Sequence, residues 1–264
     1  LESIEDQLFE NINIIVSDDN SSDKTVDILS DFSRNSRCDI EFLKSQNKKL
    51  SSRGHANNFF KLILDSPITS DTAWVAFSDQ DDIWLPDKLS RAVEFLESNS
   101  SYGGWSSAVT AFWNESKSLY IPKHGFVHKY NHFFESAGPG CTYVLTRKAF
   151  LALRETIRNK VYLLPFISYA DWAIYSIVRS NCFLWHIDHK ASILYRQHSS
   201  NAIGIASNIG GYNYRLEKLI KGWFRSQVYL LALLNNSNQN ILIKRIIRLS
   251  FLDRFVLFFM SFLI

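Results

Sequence analysis

The sequence predicts an α/β fold in which a mostly parallel central sheet is flanked by helices and followed by a helical C-terminal region. Short apolar segments rich in β-branched residues alternate with segments of helical periodicity in the first part of the chain. In two places an acidic run comes directly after such an apolar segment. Parallel sheets bind their ligands at the C-terminal ends of the strands, so both acidic runs are expected to line one site.

Each predicted strand is a short apolar run, and each predicted helix has apolar residues three or four positions apart. The strands are expected at residues 13–16, 40–43, 74–77, 106–113, 142–145 and 192–195. The helices are expected at residues 25–32, 56–64, 87–98 and 169–178. Ser22 or Asp23 is the expected N-cap of the first helix, and Pro86 suits the first turn of the third. From residue 212 onward the pattern is helical, so we divide the chain into a sheet-containing domain, 1–205, and a helical region, 206–264.

The composition is that of a globular protein, with 264 residues, 46% hydrophobic and 21% charged. A formal net charge of +3 is too small to make nucleic acid the main partner. The three cysteines, Cys38, Cys141 and Cys182, form no CxxC pair, which favours a reduced, cytoplasmic compartment. We therefore expect a cytoplasmic protein that binds small molecules or glycans.

The end of the chain, residues 241–264, is apolar on nearly all sides and carries interspersed lysine and arginine. Its uninterrupted apolar run, residues 255–264, is shorter than the roughly 20 residues that span a bilayer. This segment fits the interface of a membrane, at the inner face of the plasma membrane, and equally fits a helix packed on the sheet domain. The sequence leaves both readings open.

The acidic run Asp79-Gln80-Asp81-Asp82 offers carboxylates for a divalent cation. Such a cation neutralises the charge of a departing diphosphate. Asp79 and Asp81 alternate, so a locally extended chain places both side chains on one side. Asp82 is expected to point away unless the chain turns there, and helix capping is its alternative role. A solvated acidic turn is the alternative for the whole run, and the apolar strand before it argues against that alternative.

Residues 77–89 resemble the DxD region of family 2 glycosyltransferases, and residues 14–25 resemble the first acidic loop of that family. The two motifs occur in the family's order, and the resemblance extends over residues 1–201. It implies a GT-A fold, a nucleoside-diphosphate-sugar donor, a divalent metal (Mn²⁺ or Mg²⁺) and inversion at the anomeric carbon. Residues 195–201 are similar to rhamnosyltransferase-like members, so dTDP-rhamnose is the expected donor and a UDP-sugar the alternative.

The resemblance also implies residues that bind the nucleotide. Asp19 would contact the base and Asp18 would support the loop, whereas Asx-turn and helix-capping roles are the alternatives. A turn before the helix at 56–64 would lie near the nucleotide through Arg53, Gly54 and Asn58, and a plain helix start is the alternative there.

The metal would be held by Asp81, with Asp79 as a second ligand or a contact to the ribose. His198 would approach the metal or the diphosphate, and Arg196 would bind phosphate. A loop histidine that bonds only to backbone is the alternative for His198.

Inversion by direct displacement requires a base for the acceptor hydroxyl. The family places an aspartate after a glycine-rich acceptor loop, and Asp171 matches this position. Many relatives have an acidic residue or histidine directly before it, where this chain has Ala170. Helix capping is the alternative for Asp171. Gly138, Cys141 and Trp172 would shape the acceptor pocket, and a simple turn is the alternative there.

We therefore expect an inverting glycosyltransferase that transfers a sugar to a surface polysaccharide or a lipid-linked glycan. The family's first strand is not recognisable in this sequence, since residues 1–4 resemble the end of the helix that follows that strand. This difference makes a non-catalytic interaction protein of the same fold the alternative. A phosphoryl-transfer receiver domain would also have carboxylates after a strand, but it would leave residues 130–264 unexplained.

Overall fold

The computed structural model describes residues 1–43, 55–114, 116–123, 130–198 and 222–235. Its strands are β1 (Asn13–Val16), β2 (Asp39–Phe42), β3 (Trp74–Ala76), β4 (Ile83–Trp84), β5 (Tyr102–Ser107), β6 (Val109–Asn114), β7 (Lys117–Ile121), β8 (Val144–Thr146), β9 (Leu184–Asp188) and β10 (Ile193–Arg196). Its α-helices are α1 (Glu2–Glu5), α2 (Thr25–Asn35), α3 (His55–Asp65), α4 (Lys88–Ser98), α5 (Arg147–Asn159), α6 (Ala170–Ser180) and α7 (Trp223–Leu234). Three 3₁₀ helices cover Asn131–Phe133, Gly140–Thr142 and Val161–Phe166.

The α/β class, the flanking helices and a helix near the C-terminus are confirmed, but the sheets are mixed rather than mostly parallel. The strand orders are β1-β2, β4-β10-β6-β7 and β3-β8-β5-β9. Parallel pairs are β1 with β2, β5 with β9 and β6 with β10. The remaining pairs between described strands are antiparallel. Connections as short as the one between β6 and β7 join only antiparallel strands, which explains part of this difference.

Two local expectations differ from the structure. The strand expected at 106–113 is two strands, because the chain changes sheets at Ala108: β5 pairs with β8 and β9, and β6 pairs with β7 and β10. The N-cap position of α2 is Lys24 rather than Ser22 or Asp23. Asp23 nevertheless accepts a hydrogen bond from the backbone N–H of Thr25 at 3.0 Å, so it still satisfies a donor at the helix start.

The larger of two cores lies where α3, α5, α6 and α7 pack against the sheet that contains β8. Its fully buried side chains include Phe60, Phe150 and Tyr175. The helix α7 joins this core through Val228 and Leu231. No helix among the described residues combines the length and the apolar character needed to cross a membrane.

The smaller core connects α1 and α4 to the sheet that contains β10. Its buried members include Ile4, Trp84, Leu96 and Trp105. Gln7 links α1 to the start of α4 by accepting a hydrogen bond from the Leu89 N–H at 3.1 Å. The acidic run therefore lies between Phe77, which belongs to the larger core, and Trp84, which belongs to the smaller core.

The centre of β5 is in close contact with the aromatic side chains that follow α6. Trp185 packs against the rings of Tyr143 and Tyr175, with centroids 4.7 and 5.1 Å away, and donates a hydrogen bond to Ser106 at 3.0 Å. A methyl group at Gly104 would overlap the ring of Trp185. The absence of a side chain at Gly104 is therefore what lets the tryptophan lie flat on the strand.

We expect Gly104→Ala to lower the free energy of unfolding by about 1–3 kcal/mol, because the Trp185 ring is held by neighbours on both sides. Urea unfolding followed by tryptophan fluorescence measures the change. Ser118→Ala, on the exposed face of the edge strand β7, is the control and is expected to stay within about 0.5 kcal/mol of the original chain. Equal stabilities for Gly104→Ala and the control would contradict this account of the contact.

Candidate active site

The acidic run begins where β3 ends, directly after the buried Phe77. Ligand atoms of Asp79, Asp82 and Cys141 all lie within 4.8 Å of one another. Asp82 is expected to point away unless the chain turns there, and the structure has such a turn. The chain bends at residues 80–81 before β4 begins, and this bend turns Asp82 inward.

The pKa of Asp82 is raised from 3.8 to about 6, mainly by burial and in smaller part by the nearby Asp79 and Asp81 carboxylates. The Cys141 thiol and the backbone N–H of Arg196 oppose this change. That N–H donates to Oδ1 of Asp82 at 3.1 Å, whereas Oδ2 is buried with no hydrogen-bond partner among the described residues. Oδ2 of Asp82 therefore has capacity left for a ligand.

The expectation that Asp79 and Asp81 lie on one side of the chain is wrong: Asp79 lies with Asp82, whereas the bend turns Asp81 to the end of β10. Its Oδ2 lies 2.8 Å from Nε2 of His198, and its backbone carbonyl accepts a hydrogen bond from Nε of Arg196 at 2.9 Å. The guanidinium of Arg196 also lies over the ring of Phe112, 4.7 Å from its centroid. The structure thus brings His198 and Arg196 to the acidic run, where the resemblance places them.

A buried lysine that the sequence analysis did not single out lies below the run. Lys88 is 0% exposed, and its Nζ donates to the Cys141 carbonyl at 2.7 Å and lies 3.2 Å from the centroid of the Trp84 ring. Burial lowers the pKa of Lys88, while the Cys141, Asp82 and Asp79 side chains oppose that change. Nothing in the sequence marks Lys88 as buried, because lysine is usually exposed at the protein surface.

The first acidic loop is held by local bonds and by α3. Asp18 accepts a hydrogen bond from the Ser21 N–H at 2.9 Å, three residues on, so it stabilises the loop locally without forming an Asx-turn, which joins residues two apart. Asp19 forms an ion pair with Lys61 at 2.8 Å. Asn58 donates to the Ser17 carbonyl at 3.0 Å and so ties α3 to the end of β1. Arg53 and Gly54 lie outside the described residues.

Asp171 lies in the first turn of α6, but the N-cap position of this helix is Tyr169, so the capping alternative does not hold. A Cβ atom at Gly140 would lie 3.2 Å from Cβ of Asp171, so the 3₁₀ turn Gly140–Thr142 abuts this carboxylate closely. The Tyr143 hydroxyl is buried near Asp171, and its pKa is raised first by burial and then by the Asp171 charge.

The side chain of Tyr195 lies near both Asp171 and the acidic run. Tyr195, on β10, has a raised pKa because it is largely buried and because it is close to the charges of Asp82, Asp79 and Asp171. The sequence gives no functional signal for Tyr195, because a tyrosine in a strand is usually a packing residue. The Gly140–Thr142 turn also adjoins both groups, through Gly140 beside Asp171 and Cys141 beside Asp79 and Asp82, which favours one shared site.

The three residues expected to shape the acceptor pocket are buried. Trp172 is 6% exposed, donates to the His132 carbonyl at 3.2 Å and packs on Phe224 with centroids 5.5 Å apart. Cys141 is fully buried between Lys88 and the acidic run. Gly138 has a φ of 110° and its carbonyl accepts a hydrogen bond from the Tyr143 hydroxyl at 3.0 Å. These contacts favour roles in shaping the wall of the site over direct contact with a sugar.

The raised pKa of Asp82 gives a stability change with a defined sign. A carboxyl group whose folded-state pKa exceeds its unfolded value favours the folded state below pH 3.8, and this contribution is lost as pH rises through about 6. The difference between about 6 and 3.8 corresponds to at most about 3 kcal/mol. We expect Asp82→Asn to be more stable than the original chain at pH 7 by about 1–3 kcal/mol, an advantage that disappears near pH 4.

Urea unfolding at pH 4, 5, 6 and 7 measures this difference between the two chains. Asp71→Asn, which alters an exposed carboxylate before the start of β3 whereas the run follows its end, serves as the control and is expected to show no such trend. A constant difference for Asp82→Asn over this pH range would mean that Asp82 titrates near its ordinary pKa.

Comparison with known proteins agrees with this geometry. The family model described as Glycosyl transferase family 2 matches residues 1–151. The dTDP-rhamnosyl transferase RfbG of Shigella flexneri is 34% identical over 232 residues, which cover 88% of this chain and 78% of that protein.

The fold is similar to crystal structures of S. aureus TarS. The complex with UDP-GlcNAc gives a TM-score of 0.51 at 12% identity over 90% of this chain and 67% of TarS, and the structure of TarS 1-349 gives 0.50 at 14% over 74% and 55%. At this identity the likeness concerns the fold alone, and it is the GT-A fold. The chain therefore belongs to glycosyl transferase family 2 and is a glycosyltransferase.

Proposed function

We propose that this chain transfers rhamnose from dTDP-rhamnose to a hydroxyl group of a surface polysaccharide or a lipid-linked glycan, with inversion at the anomeric carbon. The observation that carries the proposal is the position of the Gly140–Thr142 turn: the Cys141 thiol lies within 4.8 Å of ligand atoms of Asp79 and Asp82, and a Cβ atom at Gly140 would lie 3.2 Å from Cβ of Asp171. A donor diphosphate at the run and an acceptor hydroxyl at Asp171 would then meet within one site. The 34% identity to a dTDP-rhamnosyl transferase supports the choice of donor, and a UDP-sugar is the alternative.

A divalent cation, Mn²⁺ or Mg²⁺, fits the acidic run because such ions prefer one or two carboxylates together with phosphate oxygens. We assign Asp79 and Asp81 as ligands, with His198 beside Asp81. The buried Oδ2 of Asp82, which lacks a hydrogen-bond partner among the described residues, supports a cation on the inner side of the run as well. When bound, the cation would neutralise charge on the leaving diphosphate.

The nucleotide would lie between the first acidic loop and the end of β10. Asp19 would contact the base, with Asp18 and Asn58 holding the loop in shape, and Arg196 would bind phosphate. In the structure Asp18 and Asn58 already make loop-stabilising hydrogen bonds. Arg53 and Gly54 complete this assignment by resemblance.

Asp171 would act as the base. Its carboxylate accepts the proton of the acceptor hydroxyl as that oxygen attacks the anomeric carbon, and the bond from that carbon to the diphosphate oxygen breaks. Because the hydroxyl attacks the anomeric carbon on the face opposite the departing diphosphate, the configuration at that carbon is inverted. Gly138, Cys141 and Trp172 would shape the acceptor side from behind, in keeping with their burial.

We further propose a cytoplasmic location with contact to the inner face of the plasma membrane. The support is the basic, apolar composition of residues 241–264, which would bring the enzyme to a lipid-linked acceptor. These residues lie outside the described part of the chain, as does the boundary near residue 205 between the catalytic domain and the helical region.

Asp171→Asn is expected to lower kcat by at least about 100-fold, because an amide accepts no proton from the acceptor hydroxyl. The KM for the donor is expected to change by less than about threefold, since Asp171 acts on the acceptor. Steady-state transfer assays with dTDP-rhamnose measure both constants. Asp65→Asn, at the end of α3, is the control with a similar change of charge. Full activity of Asp171→Asn would remove this residue from the mechanism.

A thermal-shift panel tests the donor and the metal together. We expect dTDP with Mn²⁺ to raise Tm by several degrees, because a ligand at about 100 times its Kd stabilises by about 2.7 kcal/mol. UDP with Mn²⁺ is expected to shift Tm less, and dTDP without metal less again. In Asp81→Ala the metal-dependent part is expected to vanish. A larger shift with UDP would select the alternative donor, and the absence of any nucleotide shift would favour a non-catalytic interaction protein.

A further inference from the structure

The least expected side chain near the site is Lys88, which is fully buried at the start of α4. Burial in a low-dielectric environment disfavours an ammonium group. The first turn of a helix also disfavours positive charge, because the helix dipole is positive at that end. A methionine or leucine would fill this space without either cost, so the presence of lysine requires compensating contacts.

Three contacts compensate the charge. Nζ donates to the Cys141 carbonyl at 2.7 Å, and it lies over the Trp84 ring at 3.2 Å from the centroid. The Asp82 and Asp79 carboxylates are close enough to favour the charged form. Each contact joins α4 to a different part of the site. The hydrogen bond to the Cys141 carbonyl reaches from the acidic run, on the proposed donor side, to the turn beside Asp171, on the proposed acceptor side.

The partner of the ammonium belongs to the 3₁₀ turn Gly140–Thr142. The first residue of this turn abuts Asp171, since a Cβ atom at Gly140 would lie 3.2 Å from Cβ of that aspartate. A shift of the turn by a few tenths of an ångström would therefore change the surroundings of Asp171. The Lys88 ammonium is the described group that fastens this turn, through Cys141, to the helix following the acidic run.

We propose that Lys88 is a positioning residue of the transferase: its ammonium holds the Gly140–Thr142 turn against the acidic run and thereby sets the separation between the two carboxylate groups of the site. The assignment rests on the proposed function, because it concerns the distance between donor and acceptor in that reaction. Lys88 itself touches no substrate. Its positive charge also reduces the repulsion between Asp79 and Asp82, which keeps both carboxylates at one end of β3.

The test uses Cys141 as a reporter of the turn. In a Cys38→Ser, Cys182→Ser background, Cys141 is the remaining thiol, and its burial protects it from a thiol reagent. Lys88→Met is introduced into this background. Leu231→Ala in the same background is the matched control, since it removes buried side-chain volume from α7, which packs on α6 and on the 3₁₀ helices Asn131–Phe133 and Val161–Phe166. Urea is adjusted so that both chains have the same free energy of unfolding before labelling is measured.

We expect Cys141 in Lys88→Met to react at least about tenfold faster than in the Leu231→Ala control, because the turn opens locally without global unfolding. The kcat for transfer is expected to fall at least about tenfold relative to the control, with a smaller change in the KM for the donor. Equal labelling rates at matched stability would overturn the proposal, since a purely structural lysine would act only through global unfolding.

Lys88→Met leaves carboxylates without their buried counter-charge, so this chain can be too unstable to study. The double variant Lys88→Met, Asp82→Asn removes both charges and avoids an uncompensated one. It is expected to fold and still to label Cys141 about tenfold faster than the control, and slow labelling in the folded double variant would overturn the proposal. Absence of rhamnose transfer by the original chain would refute the proposed function, and the labelling rates would still decide whether Lys88 holds the turn.

Discussion

Three carboxylates at the end of one strand repel one another, and the architecture of the site follows from how that repulsion is balanced. Positive groups and N–H donors surround the run from below and from the side: Lys88 at the start of α4, then Arg196 and His198 at the end of β10. The balance is incomplete at Asp82, whose pKa is raised to about 6 by its burial. A site with surplus negative charge and a buried oxygen lacking a hydrogen-bond partner among the described residues is suited to a cation, since ion binding would complete the balance.

The same groups show that the site is maintained at the expense of stability. A carboxylate with a raised pKa and a lysine with a lowered one both disfavour the folded state near neutral pH. Replacing such a pair by apolar side chains is often neutral or stabilising in proteins. The chain nevertheless has both groups next to the loop that abuts Asp171. This local conflict with optimal packing is typical of functional sites, where pre-organised charge is more useful than additional stability.

The sequence was sufficient for the alternation of strands and helices, the two acidic loops and the family, because these depend on local periodicity and on short motifs. It was insufficient where long-range pairing decides the outcome. The antiparallel pairing of β3 and β5 with β8 depends on segments far apart in sequence. The inward turn of Asp82 depends on a bend whose cause is the sheet around it, and the burial of Lys88 depends on the Cys141 carbonyl, 53 positions later. Local patterns carry no information about such partners.

The division of the site between early and late segments has a consequence for specificity. The family model ends at residue 151, and the segments before this point supply both acidic loops. Asp171, Tyr195 and His198 come from α6 and from the end of β10, beyond that limit. Both acidic loops thus lie within the residues that the family model matches, whereas Asp171 and the groups of β10 beside the run lie beyond them. On the proposed function the base for the acceptor is one of these later residues, so differences between members in the choice of acceptor would arise around α6 and the loops next to it.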